Sequence, residues 1–151
     1  MKLYLVRHGE ALVQGEDSAR PLTHRGRREA EACALIAARL AVKPFEIWHS
    51  GKARARETAE ILAAKLGAPV RQAAGLFPND AVEPWGERAG QGMNDLMLVG
   101  HLPFMERLAS YLLTGDTGFD LLAFRTAAMA CLARESGPWR LLWMTGPEMG
   151  L

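Results

Sequence analysis

Apolar and polar positions along the first two thirds of the chain predict strands separated by helices. Four short, mostly apolar segments predict strands: residues 2–7, 45–48, 69–71 and 96–99. Between them, small apolar residues recur every three or four positions, which is typical of helices packed on one side. The predicted helices cover residues 24–41, residues 52–66 and a segment that starts near residue 103. Thr23 and Ser50 are the expected N-terminal caps, and Gly67 is the expected end of the second helix.

After residue 120 the pattern changes to strands alone. Residues 121–124, 128–133 and 139–144 predict strands, the last two joined as a hairpin through Ser136-Gly137. The stretch from Pro78 to Asn94 is rich in Pro and Gly and predicts a loop, with room for one short helical turn. We therefore expect an α/β three-layer sandwich: a mostly parallel central sheet with an antiparallel edge, and helices on both faces.

Composition narrows the classes of protein that fit. The 151 residues, 49% of them apolar, are enough for one core, so we expect a single domain over residues 1–151. A formal net charge of +1 is too small to draw the chain to nucleic acid or to an anionic membrane. The N-terminal apolar run is too short for a signal peptide, and no run approaches the length of a membrane span. Two distant cysteines, Cys33 and Cys131, predict reduced core thiols and a cytoplasmic protein.

Polar groups follow three of the predicted strands at the point where each strand ends. Arg7 and His8 follow the first strand, Ser50 and then Arg54 follow the second, and His101 follows the central strand. In open parallel sheets, the functional crevice lies beyond the carboxyl ends of the strands. We therefore expect these side chains to converge, although about ninety residues separate the two histidines along the chain.

Two histidines and two arginines in one pocket suit a phosphoryl group. Arg7 and Arg54 would bind its oxygens through forked hydrogen bonds, and a protonated His101 would add a charged donor. His8 is the expected nucleophile, because neighbouring arginines favour its neutral ring. Phosphoryl transfer needs mainly positioning and stabilisation of charge, which these groups supply.

Two further cations compete with Arg54 for the role of phosphate ligand. Lys52 and Arg56 lie two residues to either side of it, and residues two apart on a helix point about 200° away from each other. If Arg54 faces the pocket, Lys52 and Arg56 are expected to face elsewhere.

No spacing of cysteines and histidines fits a metal site, so neither a metal nor another cofactor is expected.

Taken together, three motifs resemble those of the histidine phosphatase (phosphoglycerate mutase-like) superfamily. They are RHGE at residues 7–10, SGKARARETA at 50–59 and VGHLP at 99–103. Within it, the short length and the RPLT motif at residues 20–23 resemble the SixA-type phosphohistidine phosphatase branch. The resemblance implies that His8 is the phosphorylated nucleophile and that Arg7, Arg54 and His101 bind phosphate. It also implies metal-independent hydrolysis, with a protein phosphohistidine as the substrate.

The chain departs from the larger branches of this superfamily in one respect. Those branches carry a glutamate proton donor in a segment that here spans residues 73–80 and holds only Asp80 as a candidate. An imidazole leaving group, with an unperturbed pKa near 6.5, needs such a donor far less than an alkoxide does. The missing acid therefore favours a phosphohistidine substrate.

Two other functions stay open on the sequence alone. One is a phosphatase for a small phosphorylated metabolite, and the other is a non-catalytic module that binds phosphate. Glu10, Arg20 and Trp85 are candidates for the rim or wall of the pocket. Nothing in the sequence sets the oligomeric state.

Overall fold

The computed structural model describes residues 1–15, 19–92 and 94–150, and the described residues form one sheet between helices. The strands are β1 Lys2–Arg7, β2 Glu46–His49, β3 Val70–Gln72, β4 Leu96–Gly100, β5 Met129–Ala133 and β6 Arg140–Thr145. The helices are α1 His24–Arg39, α2 Ala53–Leu66, α3 Glu83–Gln91 and α4 Phe104–Thr114, followed by a 3₁₀ turn at Pro147–Gly150. No helix in these described ranges is both long and apolar enough to cross a membrane.

The strand order is β3-β2-β4-β1-β5-β6. The first four of these strands pair in parallel, whereas β5 pairs antiparallel with β1 and β6 pairs antiparallel with β5. Helices α1 and α2 cover one face and α3 and α4 cover the other. The predicted three-layer sandwich, mostly parallel with an antiparallel edge, is therefore confirmed.

Strand β1 shows why the central strands are apolar at every position. Leu3 and Leu5 enter the core beneath α3 and α4, while Tyr4 and Val6 enter the core beneath α1 and α2. Because side chains of a strand alternate between faces, a sheet covered on both sides needs apolar residues throughout. The continuous apolar runs of the sequence follow from this double burial.

Two of the predicted helix boundaries are confirmed at the level of hydrogen bonds. The Thr23 hydroxyl accepts the backbone N–H of Gly26 at 2.9 Å and so caps α1. Gly67 ends α2 in the left-handed region, with a φ of 73°, as glycine does readily. Ser50 was expected to cap α2, but the cap position is Lys52, and its side chain makes no capping bond.

The predicted strand at residues 121–124 is wrong. Both edges of β1 are already taken by β4 and β5, so no ladder is open to this segment at the centre of the sheet. It crosses the carboxyl end of the sheet instead, where Phe124 is buried and its carbonyl accepts Arg7 Nη1–H at 2.9 Å. The segment therefore helps to position a site residue rather than extend the sheet.

The stretch around residues 78–94 is more ordered than a loop with one helical turn, because α3 is nine residues long. Pro84 lies in the first turn, where its missing N–H costs no helical bond. Trp85 and Ala89 supply the buried face. Gly86 lets α3 approach α4, since a Cβ there would lie 2.4 Å from the Tyr111 ring. Pro and Gly, expected to break a helix, here permit its start and its packing.

Candidate active site

The structure brings the four predicted site residues together at the carboxyl end of the sheet. His8, Arg54 and His101 are buried, with 8%, 8% and 1% of their surface exposed, and the two imidazole centroids lie 5.2 Å apart. The charges of Arg7 and Arg54 both act on His8. Residues far apart in sequence thus form one cationic, histidine-containing pocket.

The register of the parallel strands places the two histidines side by side. Arg7 of β1 pairs with Gly100 of β4, so His8 and His101 leave the sheet at the same level. The His8 backbone N–H donates to the Gly100 carbonyl at 3.0 Å and extends this register by one residue. Strand β2 lies on the other side of β4, so α2, which carries Arg54, begins at the same end.

A hydrogen bond to a carbonyl sets the tautomer of His8. Its Nδ1 lies 2.6 Å from the Gly9 carbonyl oxygen, which can only accept, so Nδ1 carries the proton and Nε2 keeps its lone pair. Burial, together with the charges of Arg54, Arg7 and Arg20, lowers the pKa of His8 to about 4, although the bond to Gly9 opposes this shift. The ring is therefore neutral at pH 7, mainly because it is buried and only secondarily because arginines surround it.

The turn that carries His8 is held from two sides. The Gly9 N–H donates to Thr58 Oγ1 at 3.1 Å, and the Thr58 hydroxyl donates to the Arg54 carbonyl at 2.8 Å. On the other side, a Cβ on Gly9 would lie 2.5 Å from the Gly26 carbonyl oxygen, and a Cβ on Gly26 would lie 1.9 Å from the Glu10 carbonyl oxygen. Helix α1 therefore packs backbone to backbone against this turn, and Thr58 ties the turn to α2.

The two predicted arginines retain hydrogen-bonding capacity. Arg7 donates from Nη1 to the Phe124 carbonyl, while its buried Nε has no hydrogen-bond partner among the described residues. Burial lowers the pKa of Arg7, and Glu106 and Glu29 oppose the shift. Burial and the charge of Arg20 lower the pKa of Arg54 as well. In the described part of the chain, no carboxylate lies within ion-pair distance of Arg54, so both guanidiniums can bind an anion.

His101 is hydrogen-bonded to Ser50, and its ring is neutral, whereas the sequence predicted a protonated ring. Its Nε2 lies 2.6 Å from Ser50 Oγ, which also accepts the Lys52 backbone N–H at 3.3 Å. Burial, followed by the charges of His8 and Arg54, lowers the pKa of His101 to about 3. In the surroundings that the protein provides, the ring is neutral at pH 7, and its buried Nδ1 has no partner in the described ranges. A neutral imidazole still offers one N–H donor.

The helical spacing argument fails for Lys52 and holds for Arg56. Lys52 precedes the helix with extended backbone, φ −67° and ψ 141°, so helical geometry does not set its direction. Its charge contributes to the lowered pKa of His101. Arg56 is exposed and pairs with Glu60 at 3.6 Å on the outer face of α2.

A third guanidinium, that of Arg20, acts on the pocket and was only a rim candidate from the sequence. Its charge lowers the pKa values of His8, Arg54 and His101. The residue has a φ of 50°, uncommon outside glycine, and its Nε–H donates to the Leu12 carbonyl at 3.1 Å. In the sequence, only the RPLT motif drew attention to Arg20, and that motif does not show that the guanidinium acts on the pocket.

A groove of about 730 Å³ opens beside Ser50. Its walls come from residues 72–75, 77, 80, 81 and 84. Asp80 lies in the groove, where its Oδ2 accepts the Phe77 N–H at 2.8 Å. Trp85 is buried behind the wall, where its indole N–H donates to the Gly75 carbonyl at 2.8 Å, so it supports the groove rather than lining it. Glu10 accepts the Thr23 hydroxyl at 2.7 Å and so holds the start of α1.

A mostly parallel sheet whose carboxyl end gathers two imidazoles and two guanidiniums defines an α/β protein with a cationic histidine pocket. The sequence model of the histidine phosphatase superfamily, branch 1, matches residues 3–77. The chain belongs to this superfamily, whose members are phosphatases.

Individual relatives also match the chain in sequence. An uncharacterised protein of Picosynechococcus sp. is 36% identical over 129 residues, which cover 80% of this chain and 78% of that protein. The mitochondrial serine/threonine-protein phosphatase Pgam5 of Drosophila melanogaster is 32% identical over 103 residues, or 62% of this chain. Those residues make up 36% of Pgam5, so the chain spans about a third of that relative.

Solved structures extend the likeness to nearly the whole chain. The protein histidine phosphatase SixA complexed with tungstate superposes with a TM-score of 0.86 at 27% identity, over 99% of each chain. A structure described as a phosphohistidine phosphatase SixA from Agrobacterium tumefaciens gives a TM-score of 0.80 at 29% identity, over 97% of each chain.

Proposed function

We propose that this chain is a metal-independent phosphohistidine phosphatase that releases phosphate from a protein phosphohistidine through a phospho-His8 intermediate. The hydrogen bond from His8 Nδ1–H to the Gly9 carbonyl carries the proposal, because it leaves a neutral Nε2 that lies within the influence of two guanidiniums, the buried Arg54 and the half-buried Arg7. The SixA structures support the choice of substrate, since their names describe action on phosphohistidine.

In the first step, His8 Nε2 attacks phosphorus with its lone pair. A P–N bond to His8 forms while the P–N bond to the substrate imidazole breaks, and the released imidazole takes a proton from water. Arg7 and Arg54 stabilise the charge on the three equatorial oxygens, as a metal ion does in other phosphoryl-transfer sites. A neutral His101 adds one N–H donor.

In the second step, water attacks the phosphorus of phospho-His8. The P–N bond to His8 breaks, inorganic phosphate leaves, and the proton lost by water passes to solvent. His8 returns to the neutral form that its buried position favours. The cycle thus restores the starting tautomer without an added cofactor.

A small phosphorylated metabolite is the second candidate substrate, and Asp80 is the observation that favours it. Its carboxyl group lies in the groove beside Ser50, where a leaving alkoxide would need a proton. Measurements of turnover on a phosphohistidine protein and on alkyl phosphomonoesters separate the candidates. We expect a strong preference for the phosphohistidine protein, and the opposite preference would make the metabolite phosphatase the better assignment.

The nucleophile is tested by trapping the intermediate. Brief reaction with a ³²P-labelled phosphohistidine protein, followed by an alkaline quench, should leave acid-labile label on the wild type and on His49→Gln. His49 is a matched control because it is also a buried histidine at a strand end, with its Nδ1 accepting the Gly51 N–H. His8→Ala should stay folded, carry no label and turn over no substrate. Label retained by His8→Ala, or none on the wild type, would overturn the mechanism and favour another nucleophile or a binding module.

A further inference from the structure

Lys52 lies next to the site residue His101, and an aromatic ring restricts its side chain. Its ammonium nitrogen lies 4.8 Å from the centroid of the Phe77 ring, a cation–π contact that restricts an otherwise flexible side chain. Its backbone N–H donates to Ser50 Oγ, the atom that binds His101. The cation is therefore fixed between the phosphate pocket and the groove.

Phe77 is itself held in place although 48% of its surface is exposed. The backbone N–H of Phe77 donates to Asp80 Oδ2, which fixes the turn that presents the ring. Phe77 lines the groove, as does Ser50, so the Lys52 ammonium in contact with the Phe77 ring lies close to the groove. In the described ranges, no carboxylate of the chain lies within ion-pair distance of Lys52.

The geometry also limits which anion Lys52 can meet. The charges of Arg54 and Arg7 act on His8, whereas that of Lys52 acts on His101, and Lys52 is bonded to Ser50, which lines the groove. Ser50 lines the groove and binds His101, so a substrate whose phosphoryl group lies at His8 could place its leaving group in the groove. An ammonium is a compact point charge that pairs with a carboxylate without the planar match that a guanidinium needs.

We propose that Lys52, held over Phe77, is a specificity site for a carboxylate that the substrate carries next to its phosphorylated group. This inference rests on the proposed function. The carboxylate belongs either to an acidic side chain beside the phosphohistidine of a protein or to a small phosphomonoester. The two sources are separated by the substrates used in the test.

The test compares matched substrates on matched variants. One pair is two phosphohistidine peptides that differ by Glu or Gln beside the phosphohistidine. The other pair is phosphoserine and phosphoethanolamine, which differ by a carboxylate. Lys52→Met removes the charge and keeps an unbranched side chain. Arg56→Met is the control, because Arg56 is exposed on the outer face of α2 and paired with Glu60.

For the wild type we expect a KM about fivefold lower for the Glu peptide than for the Gln peptide, the scale of one partly exposed ion pair. Lys52→Met should abolish this ratio by raising the KM of the Glu peptide alone, Arg56→Met should keep the ratio, and Lys52→Glu should reverse it. A ratio confined to the phosphoserine pair would identify a small metabolite as the carboxylate source.

Two results would overturn the inference. One is a wild-type ratio near one for both substrate pairs. The other is an equal rise of KM for both members of a pair in Lys52→Met, which would mean that Lys52 binds the phosphoryl group itself. Labelling of His8 is measured in the same reactions, so failure of the proposed function, seen as no phospho-His8 with any substrate, is distinguishable from failure at Lys52.

Discussion

Replacement of Arg54 by methionine should lower activity and raise stability at the same time. Arg54 is 8% exposed, its charge is repelled by that of Arg20, and no carboxylate in the described residues balances it. Its burial therefore costs folding free energy, which a bound anion would offset. Methionine keeps an unbranched side chain of similar length and removes the charge.

The two effects have opposite signs and measurable sizes. Loss of one preorganised charged donor costs about 3–4 kcal/mol of transition-state stabilisation, or roughly 10²–10³-fold in kcat/KM. Removal of an uncompensated buried charge should stabilise the fold by about 1–3 kcal/mol, since apolar replacements of buried charges often do so. For a domain of 151 residues, this corresponds to a rise in Tm of roughly 3–9 °C.

Arg56→Met is the control for both measurements. Arg56 is exposed and pairs with Glu60 at 3.6 Å, an i,i+4 contact worth about 0.3–0.5 kcal/mol. Its activity should match that of the wild type. Melting curves must be recorded in phosphate-free buffer, because an anion bound to Arg54 would mask the gain in stability. Equal losses of activity at both arginines, or a lower Tm for Arg54→Met, would refute the assignment of Arg54 as an unpaired cation of the pocket.

Three further variants test other contacts of the site. The pKa of His8 is about 4 in the folded chain and 6.5 in the unfolded chain. Because the unfolded chain takes up a proton first as the pH falls, about 3 kcal/mol of unfolding free energy that is present above pH 6.5 is lost by about pH 4. Urea unfolding at pH 4–7 should show this slope, with a smaller slope in His8→Gln; equal slopes would contradict it. Thr58→Val leaves the buried Gly9 N–H, directly after His8, without its partner. The change should lower the unfolding free energy by about 1–3 kcal/mol and should also lower kcat. A change in stability alone would mean that Thr58 does not position the nucleophile. Ser50→Ala should lower kcat about tenfold by releasing His101, with partial recovery in Ser50→Thr. The control is Ser110→Ala, which should change only Tm, because Ser110 is a buried serine of α4 whose hydroxyl donates to the Asp116 carbonyl in the following loop. An unchanged kcat in Ser50→Ala would show that the bond to His101 has no positioning role.

Features that depend on a few neighbouring residues could be predicted from the sequence. The strands β1 and β4 are predicted because burial on both faces requires uninterrupted apolar side chains. The Thr23 cap and the Gly67 stop act within one helical turn, so the sequence signals for them are sufficient. The placement of His8 and His101 at strand ends also follows, because parallel strands share one carboxyl edge.

Features that depend on packing at a distance could not be predicted from local patterns. Helix α3 packs closely on α4 because a glycine faces a tyrosine ring of α4, and residues 121–124 form no strand because β5 already occupies the edge of β1. Ser50 looked like a helix cap, yet its hydroxyl binds an imidazole 51 residues away. Lys52 looked excluded from the pocket only because its backbone was assumed to be helical.

The sequence alone determined which chemical groups are present and which ends of which strands carry them, because apolar period and capping act over a few residues. The tertiary structure alone decided the protonation, the partners and the direction of those groups. His101 is neutral, and Arg54 has no counter-ion among the described residues, because segments distant in sequence exclude water around both groups and bring like charges together. Such effects depend on the burial of a side chain by the whole fold, which no local pattern of residues encodes.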